Sequence, residues 1–371
     1  MLKATRCVLR TASPAMARLR AVLGQRLVAA VEYQKVVAQA VHFGKAQSHG
    51  GVRSRVTGKR YCKAAGRLGT AVKETLQCSP QSFGCLMLSY RHSYHAGNFA
   101  DVLKHLVQVS VLDHLLLKDK PFVVHDTHGG AGVYEVASEH MQKTGEYQEG
   151  IARLYGASTG LPAINRYLNL VGRFSRPGGL SHYPGSPAIS AALLRDQDRL
   201  QVTELHSTDA ALLEAHFRGD RRVRVYKQDA WAGVKALLPA AHKRGLVLVD
   251  PSYELSGDDR ATVAGVREAV KRFNTGCFVV WYPMLQRRRA DYLARGLMGL
   301  ADKHLRVELN VLNDGAARGM TGSGLVVLNP PWTLAGQMEE ALPFLHGKLS
   351  QGGGGYRLES DAGVLLEHAA R

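Results

Sequence analysis

Asp250-Pro251-Ser252-Tyr253 follows directly on an apolar run, GLVLV, at residues 245–249. Such a run reads as a buried strand, and a sheet has no need of a carboxylate, a proline and an aromatic ring at its carboxyl end. A flat substrate with an amino group on its edge can use all three. The exocyclic nitrogen of adenine is a poor nucleophile, because its lone pair is delocalised into the ring. The Asp250 carboxylate and the Pro251 carbonyl, both accepting from that amine, would hold it and favour a localised lone pair. Tyr253 would offer a face to the base, and such stacking contributes about 1–3 kcal/mol per base. A methyl donor in the neighbouring pocket would then be attacked in line. The residue types alone suit adenine N6, cytosine N4 or a glutamine amide, in RNA or in DNA.

A second box competes within the chain. Asn329-Pro330-Pro331-Trp332 ends the apolar run LVVL and has the double proline that the first box lacks. Chain order sets it aside, because it follows the last strand-like run and stands far from the glycine turn described next. It is expected to be a strand exit with a packed indole.

The elements that must position Asp250 alternate between strand-like and helical. Strands are expected at 121–124, 200–204, 222–226, 246–249, 277–281, 305–312 and 325–328, most of them separated by helix-length segments. This pattern predicts a doubly wound, seven-stranded, mostly parallel sheet with helices on both faces. The short Gly-rich link between the last two strands suits an antiparallel edge. Before the first strand, Val102, Leu103, Leu106, Val107, Val109, Leu112 and Leu116 recur at helical spacing, with Asn98 as the cap. The first strand runs into Asp126, Gly129, Gly130 and Gly132, a turn that lets backbone approach a ligand at the carboxyl edge of the sheet. Glu204 ends the second strand, where an acid can hold ribose hydroxyls, and Asp229 ends the third, where it can accept from an adenine amine. Dinucleotide folds place the ribose acid about 20 residues after the turn; here Asp126 and Glu204 are 78 positions apart, so an insertion is expected, near 134–199.

Composition sets the remaining bounds. The chain has 371 residues and a formal net charge of +17. Residues 1–86 carry +13 of it, from 15 Lys/Arg against Glu32 and Glu74, and hold four of the five cysteines. The later chain is nearly balanced. The Arg-rich, acid-poor first segment fits a transit peptide, a basic RNA-binding arm, or upstream sequence preceding a natural start at Met87. The last is the preferred expectation, with residues 1–86 poorly ordered. No run reaches the roughly 18 apolar residues of a membrane span, and the cysteine pattern suits a reducing cytosol. His92/His95 and His125/His128 lack a coherent metal-ligand set, so no metal is expected.

MLSYRHSYHAGNFADVLKH, DTHGGAG, YPGSP, TELH and LVLVDPSYE, in this order and spacing, resemble the bacterial 23S ribosomal RNA adenine-N6 methyltransferases of the RlmJ type. The resemblance covers 87–349 and leaves 350–371 as a tail. It implies a Rossmann-like class I methyltransferase with a small helical insertion, using S-adenosylmethionine and no metal on protein-free 23S rRNA, as a cytoplasmic monomer. It implies that His105, His128, Ser186, Glu204, Asp229 and the Ala230 backbone surround the donor, that Asp250 is the catalytic acceptor, and that Tyr90 touches the RNA, with Lys104 a further contact. Two positions depart from the family. Ser252 stands where the pattern has a second proline, and Ala230 where it has glycine. Arg287-Arg288-Arg289 and Lys271-Arg272 read equally as phosphate contacts or as solvated helix faces. The alternatives kept open are a DNA adenine methyltransferase on the same box, and an RNA-binding protein that has lost catalysis through Ser252.

Overall fold

The computed structural model describes residues 91–255, 257–316 and 319–369. The basic segment 1–86 and Tyr90 lie outside the described residues. Helix α1, Phe99–Leu116, begins where the apolar spacing predicts, with Asn98 Oδ1 accepting from the backbone N–H groups of Ala100 and Asp101 at 2.9 and 3.0 Å. It is buried around nearly its whole circumference, so it also carries Asp101, Lys104, His105 and Gln108 out of water. Each such group needs a partner; Gln108 Nε2, for one, donates to the Ser186 carbonyl and to Ser190 Oγ.

Strand β1, Val123–Asp126, follows, and then the insertion. Within it β2, Val133–Glu135, pairs antiparallel with β3, His182–Pro184, and between them lie α2, Glu139–Thr144, and α3, Pro162–Gly172. The alternating part then runs α4, Ser186–Leu193; β4, Arg199–Thr203; α5, Ser207–His216; β5, Val223–Tyr226; α6, Ala230–Leu237; β6, Gly245–Val249; α7, Asp258–Arg272; β7, Cys277–Met284; and α8, Arg287–Met298. The chain continues with β8, His304–Asn310; β9, Gly322–Leu328; α9, Leu334–Leu349; β10, Gly355–Ser360; and β11, Gly363–Ala369.

The sheet order is β11-β10-β8-β9-β7-β6-β1-β4-β5. The five strands from β7 to β5 are parallel, and the rest pair antiparallel. Strand residues alternate between two apolar layers. Val124, Leu246, Leu248 and Val279 pack toward α1, α3 and α9, while Val123, Val247, Val249, Phe278 and Val280 pack toward α7 and α8. All seven expected strands are present, and the main sheet of the described residues has nine strands instead of seven. The two extra strands come from the expected tail. Their polar composition hid them, because Leu358 is the one apolar side chain of β10 that is buried and the ladder is flanked by charged pairs such as Arg357 with Glu359 and Glu367. The hairpin also moves the sheet edge outward, so the antiparallel pair β8–β9 is interior.

Strand direction separates the two Pro-containing boxes. Strand β9 opposes β7, with Leu328 beside Phe278, so Asn329 leaves the sheet at the end opposite Asp250. Asn329 adopts φ +51° and donates to the carbonyls of Asn274 and Gly276. Trp332 corrects the expectation of a packed indole: it is 82% exposed, meeting the His114 ring edge-on at 6.3 Å. The short crossing from β9 into α9 runs over the surface and leaves the ring nothing to be buried under.

Strand β6 approaches β1 closely at Gly245. A Cβ on Gly245 would stand 1.9 Å from the Val123 carbonyl oxygen, whereas one on the exposed Gly336 of α9 would meet nothing. Gly245→Ala should therefore lower stability by about 1–3 kcal/mol through overpacking, while Gly336→Ala should raise it by up to about 1 kcal/mol. Urea midpoints of the two variants check this; an unchanged midpoint for Gly245→Ala would contradict the pairing of Gly245 with Val123.

Candidate active site

Adjacent parallel strands deliver the two central carboxylates. Strand β1 ends at Asp126, and β6, paired to it with Asp126 beside Leu248, runs on into Asp250. The loop after β1 is tied down on both sides. Thr127 N–H and Oγ1 donate to the Leu248 carbonyl at 3.0 and 2.8 Å, and Gly129 N–H donates to the Thr203 carbonyl at 3.0 Å. A Cβ at Gly129 would stand 2.2 Å from Val202, so the close approach requires glycine. His128 Nδ1 accepts the Asp250 backbone N–H at 3.3 Å and thereby couples the two strand ends.

Helix α1 enters above this point and contributes a buried cation. Lys104 Nζ lies 2.5 Å from Asp250 Oδ2 and 2.8 Å from Asp101 Oδ1, one helical turn earlier. Asp101 Oδ2 in turn meets His92 Nε2 at 3.0 Å and the Gly97 N–H at 2.9 Å. Burial alone would neutralise both Lys104 and Asp101. It is overcome at Lys104 by its two carboxylates, which raise the ammonium pKa, and at Asp101 by His92 and Lys104, which hold the carboxyl well below its usual range. Lys104 is 4% exposed. The expected RNA-contacting lysine is thus an ion-pair partner of the expected catalytic aspartate.

The residues expected around the donor divide into two groups. His105, His128 and Ser186 line one narrow gap with Gly130, Lys104 and Asp250. Burial pushes His105 down to about 3 and His128 down to about 4, so both rings are neutral near pH 7. His105 Nδ1 bonds to Tyr183 OH at 2.7 Å, and Tyr183 to Tyr167 at 3.0 Å, an orienting chain supplied by the insertion. Glu204 borders the glycine turn, accepting from Gly130 N–H at 2.8 Å and His206 N–H at 2.6 Å. Asp229 lies farther out as the cap of α6, its Oδ1 accepting from the N–H groups of Trp231 and Ala232. Ala230 opens α6 and is not among the positive-φ residues, so a Cβ is accommodated there.

On the other side of Asp250 is a cleft of 530 Å³, lined in part by Phe99, Lys104, Ser252, Trp281, Pro283, Leu285 and Met320. Asp250, Lys104 and His92 border both spaces. Tyr253 does not line the cleft: it adopts φ +53°, is 5% exposed, and donates its hydroxyl to the Trp281 carbonyl at 2.7 Å. The indole of Trp281 lies across Tyr253, with centroids 5.8 Å apart, and Nε1 donates to Ser323 Oγ at 2.9 Å. Trp281 and Asp101 are the two functional candidates that sequence reasoning missed. Asp101 carried a local signal, standing three residues before Lys104 on one helix. Trp281 carried none, since an indole inside an apolar strand reads as core. Among the described residues no three His, Cys, Asp or Glu side chains gather as a metal-ligand set.

Asp126 gives a pH test of this geometry. It is fully buried, and burial pushes its carboxyl up to about 7 against the opposing Ser186 hydroxyl. Between about pH 4, where the unfolded chain loses this proton, and about 7, the folded state alone retains it. Its contribution to stability is therefore complete below about pH 4 and is lost as pH rises to about 7. Asp126→Asn should be more stable relative to the parent at pH 7.5 than at pH 4.5. Denaturant midpoints at both values check this, and an equal difference at the two pH values would remove Asp126 from its buried position.

The family model described as "Ribosomal RNA large subunit methyltransferase D, RlmJ" matches residues 119–360. The Escherichia coli ribosomal RNA large subunit methyltransferase J is 50% identical over 272 residues, covering 73% of this chain and 97% of that one. The Haemophilus influenzae protein of the same name is 48% identical over 262 residues, covering 70% and 93%. Among solved structures, protein LPL1258 from Legionella pneumophila superposes with a TM-score of 0.67 at 35% identity, over 72% of this chain and 98% of that one. The match runs from the approach to β1 through the strand ends that carry Asp126 and Asp250 to β10, and the chain belongs to the RlmJ family of large-subunit ribosomal RNA methyltransferases.

Proposed function

We propose that the protein transfers a methyl group from S-adenosylmethionine to the exocyclic N6 of one adenine in protein-free 23S rRNA, acting as a cytoplasmic monomer. The observation that carries this reading is that Asp250 and Lys104 form part of the wall between a narrow inner gap and an open cleft. A methyl-transfer site needs an amine-binding carboxylate between donor and acceptor; the inner gap holds about 10 Å³, room for the donor's reacting end and not for the whole molecule. No helix among the described residues is long and apolar enough to cross a membrane.

The inner gap suits the donor chemically. Among the described residues His105 Nε2, which belongs to the lining of this gap, is a buried polar atom without a hydrogen-bond partner, and a polar ligand there would relieve that cost. His105, His128, Ser186 and Glu204 would hold the donor, with Asp229 and the Ala230 backbone at the outer end. When bound, the donor supplies an electrophilic methyl group.

The chain's own groups do the rest. Lys104 holds Asp250 Oδ2, and among the described residues no protein group is hydrogen-bonded to Oδ1. That oxygen and the Pro251 carbonyl are the acceptors for the target amine. Lys104 orients the carboxylate, so that it accepts a hydrogen bond from the amine and takes up its proton once the nitrogen has become cationic. Trp281 supplies the aromatic face toward the cleft, and Tyr253 supports it from beneath. An adenine must leave its stack to enter, which costs least in loops and irregular RNA.

Full-length protein, labelled donor and unmodified protein-free large-subunit rRNA should yield N6-methyladenosine on nucleoside analysis. Asp250→Ala should lower turnover by about 10²–10⁴-fold while retaining donor binding. Ser252→Pro should keep or raise turnover, because proline restricts φ to near −65° and leaves Asp250 and Pro251 in place. A sharp fall would give the Ser252 hydroxyl a direct role. Methylated duplex DNA with unmethylated rRNA would move the reading to a DNA enzyme, and donor binding without product would make the protein a binder.

A further inference from the structure

The run Arg287-Arg288-Arg289 occupies the first turn of α8, which contains no acid. The positive end of the helix dipole disfavours cations there, so three arginines at this position need a reason. Two of them have one inside the fold. Arg287 pairs with Glu308 at 2.8 Å and with Asp314 at 3.3 Å, and Arg289 pairs with Asp259 at 2.6 Å. Arg288 is exposed and has no carboxylate within 4 Å among the described residues. Neither has Arg295, also exposed, seven residues on. Between them stands Tyr292, 68% exposed.

Positions 288, 292 and 295 fall on one face of the helix, opposite the buried Ala290, Leu293, Ala294 and Leu297. Adjacent members of the stripe are separated by about 4.5–6 Å along the axis. The stripe also starts at the active site, because Leu285, which lines the cleft beside Asp250, is three residues before Arg288. An exposed aromatic ring between two unneutralised arginines matches the chemistry of single-stranded RNA, with a stacked base between two phosphates. A protein partner with an acidic surface could use the arginines but would leave the tyrosine ring unexplained.

We infer that Arg288, Tyr292 and Arg295 form a track for the single-stranded RNA flanking the target adenine. Leu285 marks the point where that strand turns into the cleft. This inference rests on the reading of the protein as an RNA methyltransferase. It assigns to α8 the capture of substrate and leaves the methyl-transfer step to Asp250.

The test uses the full chain and a fluorescent, protein-free large-subunit rRNA fragment, with affinity measured across a salt series and turnover measured separately. Arg288→Gln with Arg295→Gln should flatten the slope of log affinity against log salt by about 0.7 for each phosphate that is no longer neutralised. KM for RNA should rise and kcat should be unchanged. Tyr292→Ala should weaken binding about fivefold or more, and Tyr292→Phe should restore it. All three side chains are exposed, so the melting temperatures should stay near the parent's, which separates weakened RNA binding from unfolding. A parental salt slope and KM in the double arginine variant would overturn the track. Failure of the parent to methylate RNA that it binds would instead overturn the proposed function.

Discussion

The buried ammonium of Lys104, held between Asp101 and Asp250, is the constraint on which the rest of the site depends. It joins a helix near the start of the described chain to a strand end 146 positions later. Three charges in a low-dielectric setting are tolerable only when each is paired with good geometry, since removing one partner leaves another buried and uncompensated. His92 and the Gly97 N–H complete the set on the outer side of Asp101. The segment before α1 therefore closes over the site as a consequence of where its charges must go.

Around that charged centre the site is built from neutral polar groups. Burial holds the His105 and His128 rings uncharged. A neutral ring can donate at one nitrogen and accept at the other without adding charge to the gap. His105 is oriented by Tyr183 and Tyr167, both fully buried. Those two tyrosines come from the insertion, which gives that segment a structural reason to lie against the His105 side of the gap.

The sheet divides the work. Its parallel half carries the strand ends of the candidate site, because parallel strands all present their carboxyl ends at one edge, where α/β folds bind ligands. Its antiparallel half is a support. There Arg306, 4% exposed, pairs with Glu308 at 2.6 Å and also with Asp291, and Glu308 accepts from Tyr282 and Arg287. This network pins α8 to β7 and β8, and α8 is the helix that starts at the mouth of the cleft.

Much of this was legible in the chain because it is local. The alternation of apolar strands with helical segments determined the doubly wound core. Asn98 announced the start of α1, and the Asp250-Pro251 turn announced the end of a buried strand, since these signals depend only on backbone propensity and near-neighbour chemistry. The hairpin β10–β11 escaped because its strands are half-exposed and charged, with little apolar period to detect. Chain order alone set the Asn329 box aside; strand direction, which leaves no mark on either box, places the two at opposite edges of one sheet. Likewise the pairing of Lys104 with Asp250, the burial of Tyr253 and the turn of Trp281 toward the cleft are contacts between residues distant in sequence. Residue types determined what chemistry was available; only the packing of α1 over β6 and β7 decided which of those groups meet, because electrostatic pairing and exposure are properties of position in space.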